Sequence, residues 1–255
     1  MTRPLRIAFI GQKGFPATWG GVEVHVDAVA SRLAARGHDV SVYVRRWYSP
    51  QPEPVLHGVS RVFVPTVHTK HLDAAIHAGL SAVHAAFHGF DIVHFHAMGP
   101  ALFAAVPRVS GCAVVATLHG RDYLRAKWGP VARLALRAGE RAGLRASQRI
   151  IAVSQEMADD YRARGFDVEC IPNGVEILDP EPALEISKLG LESGRFLLGM
   201  SRWDRGKRVL EMVEAFVARP VDDAVLVVAG DAEEPLYRQE VHSAAKGSSR
   251  VVFPG

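Results

Sequence analysis

Three short stretches carry residue types suited to chemistry on anions and hydroxyls. In Leu118-His119-Gly120-Arg121-Asp122 a histidine stands beside a glycine at the end of an apolar run. An imidazole there could meet a substrate and titrate near neutrality; a histidine that merely caps the chain end fits the residues equally well. In Ser201-Arg202-Trp203-Asp204-Arg205-Gly206-Lys207 the cations Arg202 and Lys207 flank a turn entering a helix. Cations and helix N-terminal amides together neutralise a diphosphate, although solvated surface charge is the plainer reading. Gly20 and Gly21 precede a second helix and, lacking Cβ atoms, let a ligand or another domain approach the backbone. As a glycine pair they could equally well just turn the chain.

These stretches need elements to hold them. Residues 6–10 read as a strand, and after the glycines Val22, Val26, Val29 and Leu33 recur at helical spacing up to Arg36-Gly37. A strand, a glycine loop and an amphipathic helix in succession aim the helix N-terminus beyond the strand's carboxyl edge, a place for an anion. Further strands are expected at 39–44, 61–65, 91–96, 113–118, 149–153 and 168–171. Helices are expected at 69–88, around 101–106, over 122–146 and between the last two strands. In the first of these, Leu72, Ile76, Leu80, Val83 and Phe87 form a stripe expected to be buried. Such alternation predicts right-handed crossovers and a parallel sheet, an α/β Rossmann-like domain. Residues 176–190, with Pro180 and Pro182, lose the periodicity and read as a linker between domains at 1–175 and 191–255. The second domain restarts with strands at 196–201, 224–230 and 250–253 and helices at 207–218 and 235–246.

Composition narrows the class. A 48% hydrophobic chain of 255 residues can bury a core, and a net charge of +3 among 57 charged residues does not by itself mark a nucleic-acid binder. Cys112 and Cys170 lie in or beside apolar runs, as reduced packing residues do, so a cytosolic setting is expected. No apolar run approaches the ~18 residues of a spanning helix, and 7–10 is too short for a signal-peptide core.

Taken in order, GQKGFPATWGGVEVHV, DIVHFHAMGP, the HGRD strand end, IIAVS, IPNGVE and GMSRWDRGKRVLEMVEAF resemble the nucleotide-sugar glycosyltransferases of family four. The resemblance spans nearly the whole chain and implies the two-domain GT-B fold, with the acceptor on the N-terminal domain and the nucleotide-sugar on the C-terminal one. It implies that Arg202 and Lys207 grip the donor diphosphate, that Gly20 and Gly21 sit across a cleft from it, and that His119 touches the transferred sugar. The implied activity is retaining transfer from a nucleoside-diphosphate sugar to a glycan or lipid-linked acceptor in bacterial surface polysaccharide synthesis. Two cations and a helix N-terminus can stabilise the departing diphosphate without a metal, and no Asp-x-Asp sequence is present. No cofactor is expected, the nucleotide-sugar being a substrate. The family's pair of glutamates falls beyond Gly255, so the second domain is expected to be incomplete.

Other readings meet the same residues. A dinucleotide oxidoreductase would show G-x-G-x-x-G after the first strand and an acid closing the second, where this chain has Gly11-Gln12-Lys13-Gly14 and Val44-Arg45-Arg46. A P-loop is excluded because the loop enters its helix as Trp19-Gly20-Gly21-Val22. Nine of the twelve histidines fall between His57 and His119, with His84 and His88 one helical turn apart and His94 and His96 on one strand face. No cysteine or carboxylate completes a metal set with them, so no metal is expected. A sugar-nucleotide epimerase would need the same diphosphate site, and a non-catalytic nucleotide-sugar or anionic-surface binding module would use the same contacts without turnover.

One charge feature stands apart. Arg121, Arg125, Lys127, Arg133, Arg137, Arg141, Arg145 and Arg149 face only Asp122 and Glu140, a local net charge of +6. Mixed signs are usual on a solvated face, and Tyr123 and Trp128 alone offer base stacking, which disfavours nucleic acid. The expected partner is an anionic membrane surface or a lipid-phosphate acceptor, placing the protein in the cytoplasm and peripherally on the inner membrane face.

Overall fold

The computed structural model describes residues 3–67, 69, 72–121, 129–177 and 184–255. The chain divides into two compact units, Met1–Glu176 and Ile177–Gly255. The first runs β1 (Arg6–Ile10), α1 (Gly21–Ala35), β2 (Asp39–Val44), β3 (Val55–Leu56), β4 (Val59–Phe63), α2 (Asp73–Phe87), β5 (Ile92–His96), α3 (Met98–Ala101), α4 (Ala105–Val109), β6 (Ala113–Leu118), α5 (Pro130–Ala146), β7 (Arg149–Ala152), α6 (Gln155–Ala163) and β8 (Val168–Cys170). Its strands lie in the order β3-β4-β2-β1-β5-β6-β7-β8. All pairs are parallel except the β3–β4 hairpin.

Strand order reverses at β1, which has β2 on one side and β5 on the other. Open α/β sheets bind ligands beyond the carboxyl ends of strands at such a reversal. Alternation along β1 sends Ile7 and Phe9 into one core with Val26 and Ala30 of α1, and Ala8 and Ile10 into another with Ala78, Ala82 and Ala85 of α2. Both cysteines are unpaired. No helix among the described residues is long and apolar enough to cross a membrane.

Two expectations fail here. The α2 stripe is not buried: Leu72, Leu80, Val83 and Phe87 are 56%, 46%, 47% and 81% exposed, and Ile76 is half-buried. The buried face is instead Asp73, His77, Ala78, Ser81, Ala82 and Ala85, because small side chains let the helix sit close over Tyr43 and Phe95. The third strand starts earlier than expected, at Val59. His57 and Gly58, at φ 50° and 75°, turn Val55–Leu56 back as an antiparallel partner of β4, in a stretch where no strand is expected from the sequence. The expected helix over 122–146 is described from Pro130, its earlier part lying outside the described residues.

The second unit runs α7 (Leu184–Lys188), β9 (Phe196–Met200), a 3-10 turn (Arg205–Lys207), α8 (Val209–Ala218), β10 (Val225–Ala229), α9 (Pro235–Ala244) and β11 (Val251–Val252). Its three strands are parallel in the order β11-β10-β9. Trp203, Val209, Val213, Phe216, Tyr237 and Val241 form its core. The short helix α7 lies within the stretch 176–190 read as a linker.

Candidate functional site

At the carboxyl edge of the first sheet, adjacent parallel strands bring two histidines together. His96 ends β5 opposite Thr117 of β6, so His119, just past the end of β6, lies beside it. His96 Nδ1 and His119 Nε2 share a hydrogen bond of 3.0 Å. Helix α1 adds His25, whose ring centroid is 5.4 Å from that of His96 and 5.0 Å from that of His119. Asn173, in the Ile171-Pro172-Asn173-Gly174 stretch, acts on the His25 ring and raises its pKa, against the larger effect of burial. His94 points to the same face but is engaged by Thr117 Oγ1 at 2.7 Å and packs on Phe9.

Burial governs the charge of this cluster. His96 is fully buried with Nε2 unpaired, and desolvation followed by the neighbouring imidazoles holds its pKa well below the usual value. Burial likewise lowers His25, takes His94 to about 3 and takes His119 to about 4. The expectation that His119 titrates near neutrality is therefore corrected: at pH 7 it is a neutral imidazole that exchanges hydrogen bonds and carries no charge. The nitrogens of His25, His96 and His119 lie within 4.8 Å of one another, a grouping that His84 and His88 do not make. Those two stack at 3.5 Å on α2, their Nδ1 atoms bound to Tyr43 Oη and the His84 carbonyl.

The loop joining β1 to α1 passes this cluster. A Cβ on Gly11 would stand 2.1 Å from the His96 carbonyl oxygen, and its φ of +121° suits glycine. Beyond it the loop amides turn inward. Lys13 N–H donates to Glu23 at 3.0 Å, Phe15 to Ser49 Oγ at 3.1 Å and Ala17 to Asp27 at 2.7 Å, while Thr18 and Trp19 both donate to Tyr48 Oη. Gly20, at φ 103°, is the residue before α1 and supplies no capping side chain; Gly21 has open space where a Cβ would be. The first turn of α1 itself carries the buried carboxylate of Glu23, which a Cβ on Gly20 would meet at 1.9 Å.

In the second unit, Arg202 and Lys207 stand on one connection after β9, both exposed. Arg202 is held by Asp204 at 3.2 Å and Glu233 at 3.4 Å. Lys207 ends the 3-10 turn, in which Asp204 accepts from Gly206 N–H at 2.9 Å. The following helix does not begin at Lys207 as expected. Arg208 adopts a left-handed conformation, φ 57°, and α8 starts at Val209. One amide of its first turn, Leu210 N–H, already donates to Tyr237 Oη at 3.2 Å.

The basic stripe is a surface of α5. Arg133, Arg137, Arg141 and Arg145 are exposed at four-residue spacing. Three of them, with Leu134 and with Arg164 of α6, line a groove of about 680 Å³. Arg164 is tied to the buried Glu140 at 3.1 Å, Arg121 to Asp160 at 3.1 Å and Arg149 to Asp167 at 3.8 Å. Arg125 and Lys127 lie outside the described residues. Sequence reasoning missed His25, whose signal was a histidine one turn into the helix that follows Gly20-Gly21.

Comparison with known proteins fits this architecture. Over 98% of its length the chain superposes on sucrose-phosphate synthase from Thermosynechococcus elongatus, with a TM-score of 0.81, 19% identity and 70% of that chain covered. HepE of Anabaena, solved in complex with UDP and glucose, gives 0.69 at 19% identity, covering 98% of this chain and 69% of that one. A UDP-N-acetylglucosamine 2-epimerase described as putative, from Listeria monocytogenes, gives 0.64 at 14% identity, over 99% and 69%. A comparison with curated protein sequences gives no match. At these identities the structures establish the fold, the GT-B fold, of which this chain spans about 70% of the length of each of those chains. Residues 19–177 match the family described as Glycosyltransferase Family 4, well over half of the sequence, and the chain belongs to that family of glycosyltransferase enzymes.

Proposed function

We propose that the protein transfers a sugar, with retention of anomeric configuration, from a nucleoside-diphosphate sugar to a glycan or lipid-phosphate-linked acceptor in bacterial surface polysaccharide synthesis. The observation that supports this reading best is the place of His119 at the carboxyl edge of the first sheet, inside the segment that matches the family, where burial disfavours its protonation. A neutral imidazole can hydrogen-bond a sugar hydroxyl without adding positive charge next to an oxocarbenium-like centre. Arg202 and Lys207 take the diphosphate, Arg202 exchanging the carboxylates of Asp204 and Glu233 for phosphate oxygens as negative charge builds on the leaving group. Gly20 and Gly21 keep the backbone at the start of α1 accessible, Gly21 with open space where a Cβ would be and Gly20 beside the Glu23 carboxylate. The transfer needs no metal, so chelator should not lower its rate.

The α5 surface suits an acceptor at an anionic interface. Arg133, Arg137, Arg141 and Arg145 face solvent together with Leu134, 71% exposed. Basic residues near an acidic leaflet bind it, and exposed apolar side chains enter the headgroup region. On this reading the protein works in the cytoplasm, peripherally on the inner membrane face.

The donor assignment is tested by Arg202→Ala and Lys207→Ala, each expected to weaken UDP or GDP binding by about 1.5–3 kcal/mol, the range for hydrogen bonds to charged groups. Unchanged affinity in both variants, measured by calorimetry, removes the assignment. His119→Ala should leave diphosphate binding intact and abolish transfer. An epimerase shares the fold with the Listeria protein; incubation with nucleotide-sugar alone separates the two activities, because a transferase needs an acceptor to transform it.

A further inference from the structure

We propose that His25, His96 and His119 form a binding site for a divalent d-block ion of the zinc class. The three ring centroids stand 5.4, 5.0 and 5.3 Å apart, a nearly equilateral triangle. With metal–nitrogen bonds of about 2.0–2.1 Å, three imidazoles held tetrahedrally by one ion have centroids roughly 5 Å apart and ligating nitrogens about 3.3 Å apart. His96 Nδ1 and His119 Nε2 are already 3.0 Å apart, and the nitrogen His25 offers lies within 4.8 Å of both. His25, half-buried on α1, is the member that closes on the ion, while the other two are fixed at the ends of neighbouring strands.

The surroundings agree with ligation. Asn173 acts on the His25 ring, raising its pKa against the larger effect of burial, and so stands where an outer partner of a metal-binding imidazole would. His96 is fully buried, which fixes the ring whose Nδ1 faces His119. Burial disfavours the protonated form of each of the three rings, and the unprotonated imidazole is the form that binds metal. His94 is excluded from the set by its bond to Thr117. An all-imidazole donor set favours zinc, copper, nickel or cobalt over magnesium or calcium. With three protein ligands the fourth position is open to water or to an oxygen of a bound molecule. Because His119 is a member, the ion and any sugar touching His119 exclude one another, and the ion would act as an inhibitor.

The site is read from the histidines alone and does not rest on the proposed transfer reaction, so its test uses no nucleotide-sugar. The chelator-treated full chain is titrated with Co²⁺ followed by visible absorption, and with Zn²⁺ against a chromophoric chelator. One ion per chain, with the intense visible bands of tetrahedral Co²⁺, is expected, and Mg²⁺ should not compete. His25→Ala and His119→Ala should each weaken binding at least about tenfold, while the His84→Ala/His88→Ala double variant and His242→Ala should bind as the parent does. Circular dichroism confirms that each variant is folded, and His25→Gln, which keeps a polar side chain on α1, provides a second variant at that position. Failure of the parent to bind Zn²⁺ at submillimolar concentration overturns the proposal. So does binding that survives loss of His25 and His119, or that depends on His84 and His88.

Discussion

The sharpest test of the charge state of the first unit is His77→Leu. His77 is fully buried on α2 beneath the sheet, and neither ring nitrogen makes a well-formed hydrogen bond. Burial, and next the Arg45 guanidinium, push its pKa from 6.5 down to about 4, outweighing the opposite pull of the Val44 backbone and Asp73. In the unfolded chain the ring keeps an ordinary pKa near 6.5. Between these two values the unfolded state binds the proton and the native state does not, so stability is level above pH 6.5 and falls as pH drops toward 4. Each unit of separation corresponds to about 1.4 kcal/mol, so the whole window is worth about 3 kcal/mol, of which about 2 is lost by pH 5. Leucine has similar bulk and no proton to bind. Urea unfolding of parent and variant at pH 7.5, 6.5, 5.5 and 5.0 should therefore give a difference that grows in the variant's favour as pH falls. At pH 7.5 the variant should equal or exceed the parent, since two unpaired buried nitrogens are gone. The other histidines act on both proteins alike and cancel in the difference. Parallel stability curves across this range would refute the argument, because they would mean that His77 takes up its proton as readily folded as unfolded.

Two further outcomes are expected. Vesicles containing acidic lipid should sediment the protein, with binding that fades as salt rises and falls when Arg133, Arg137 and Arg141 are changed to Glu, each basic residue contributing about 1 kcal/mol; equal binding to neutral vesicles, or to none, returns the α5 stripe to ordinary solvated surface. Gly11→Ala should destabilise the first unit by at least about 2 kcal/mol in thermal or urea unfolding, because the new Cβ meets the His96 carbonyl in a backbone conformation strained for alanine, and an unperturbed midpoint would show that the loop relaxes freely.

Much of this molecule can be read from spacing. The order of strands and helices in both units follows from apolar periodicity, and His119 stands out because it follows an apolar strand directly and precedes a glycine. The α2 helix shows where periodicity misleads. Two stripes share helical spacing, the large one through Leu80 and Phe87 and the small one through Ala78, Ala82 and Ala85. Hydrophobicity favours the first, yet the second permits closer packing, and Tyr43 and Phe95 of the sheet supply the bulk. The start of α8 was missed for a different reason: Arg208 takes a left-handed conformation that is uncommon for a residue with a side chain, and no composition signal announces it. His25 was invisible as a partner of His96 and His119 because their meeting depends on strand order across the sheet, and residue separation along the chain carries no trace of it.

The β1–α1 loop has a consequence for speed as well as for shape. Its amides at 13, 15, 17, 18 and 19 are all held by side chains of its own unit. Folding therefore settles the loop's conformational entropy before any ligand arrives, and an incoming molecule meets a rigid wall that it does not have to order. Association at this edge should then be limited by diffusion and orientation instead of by loop closure. In the ligand-free protein these amides should exchange with solvent as slowly as the neighbouring strands do, and a bound anion should slow them little further.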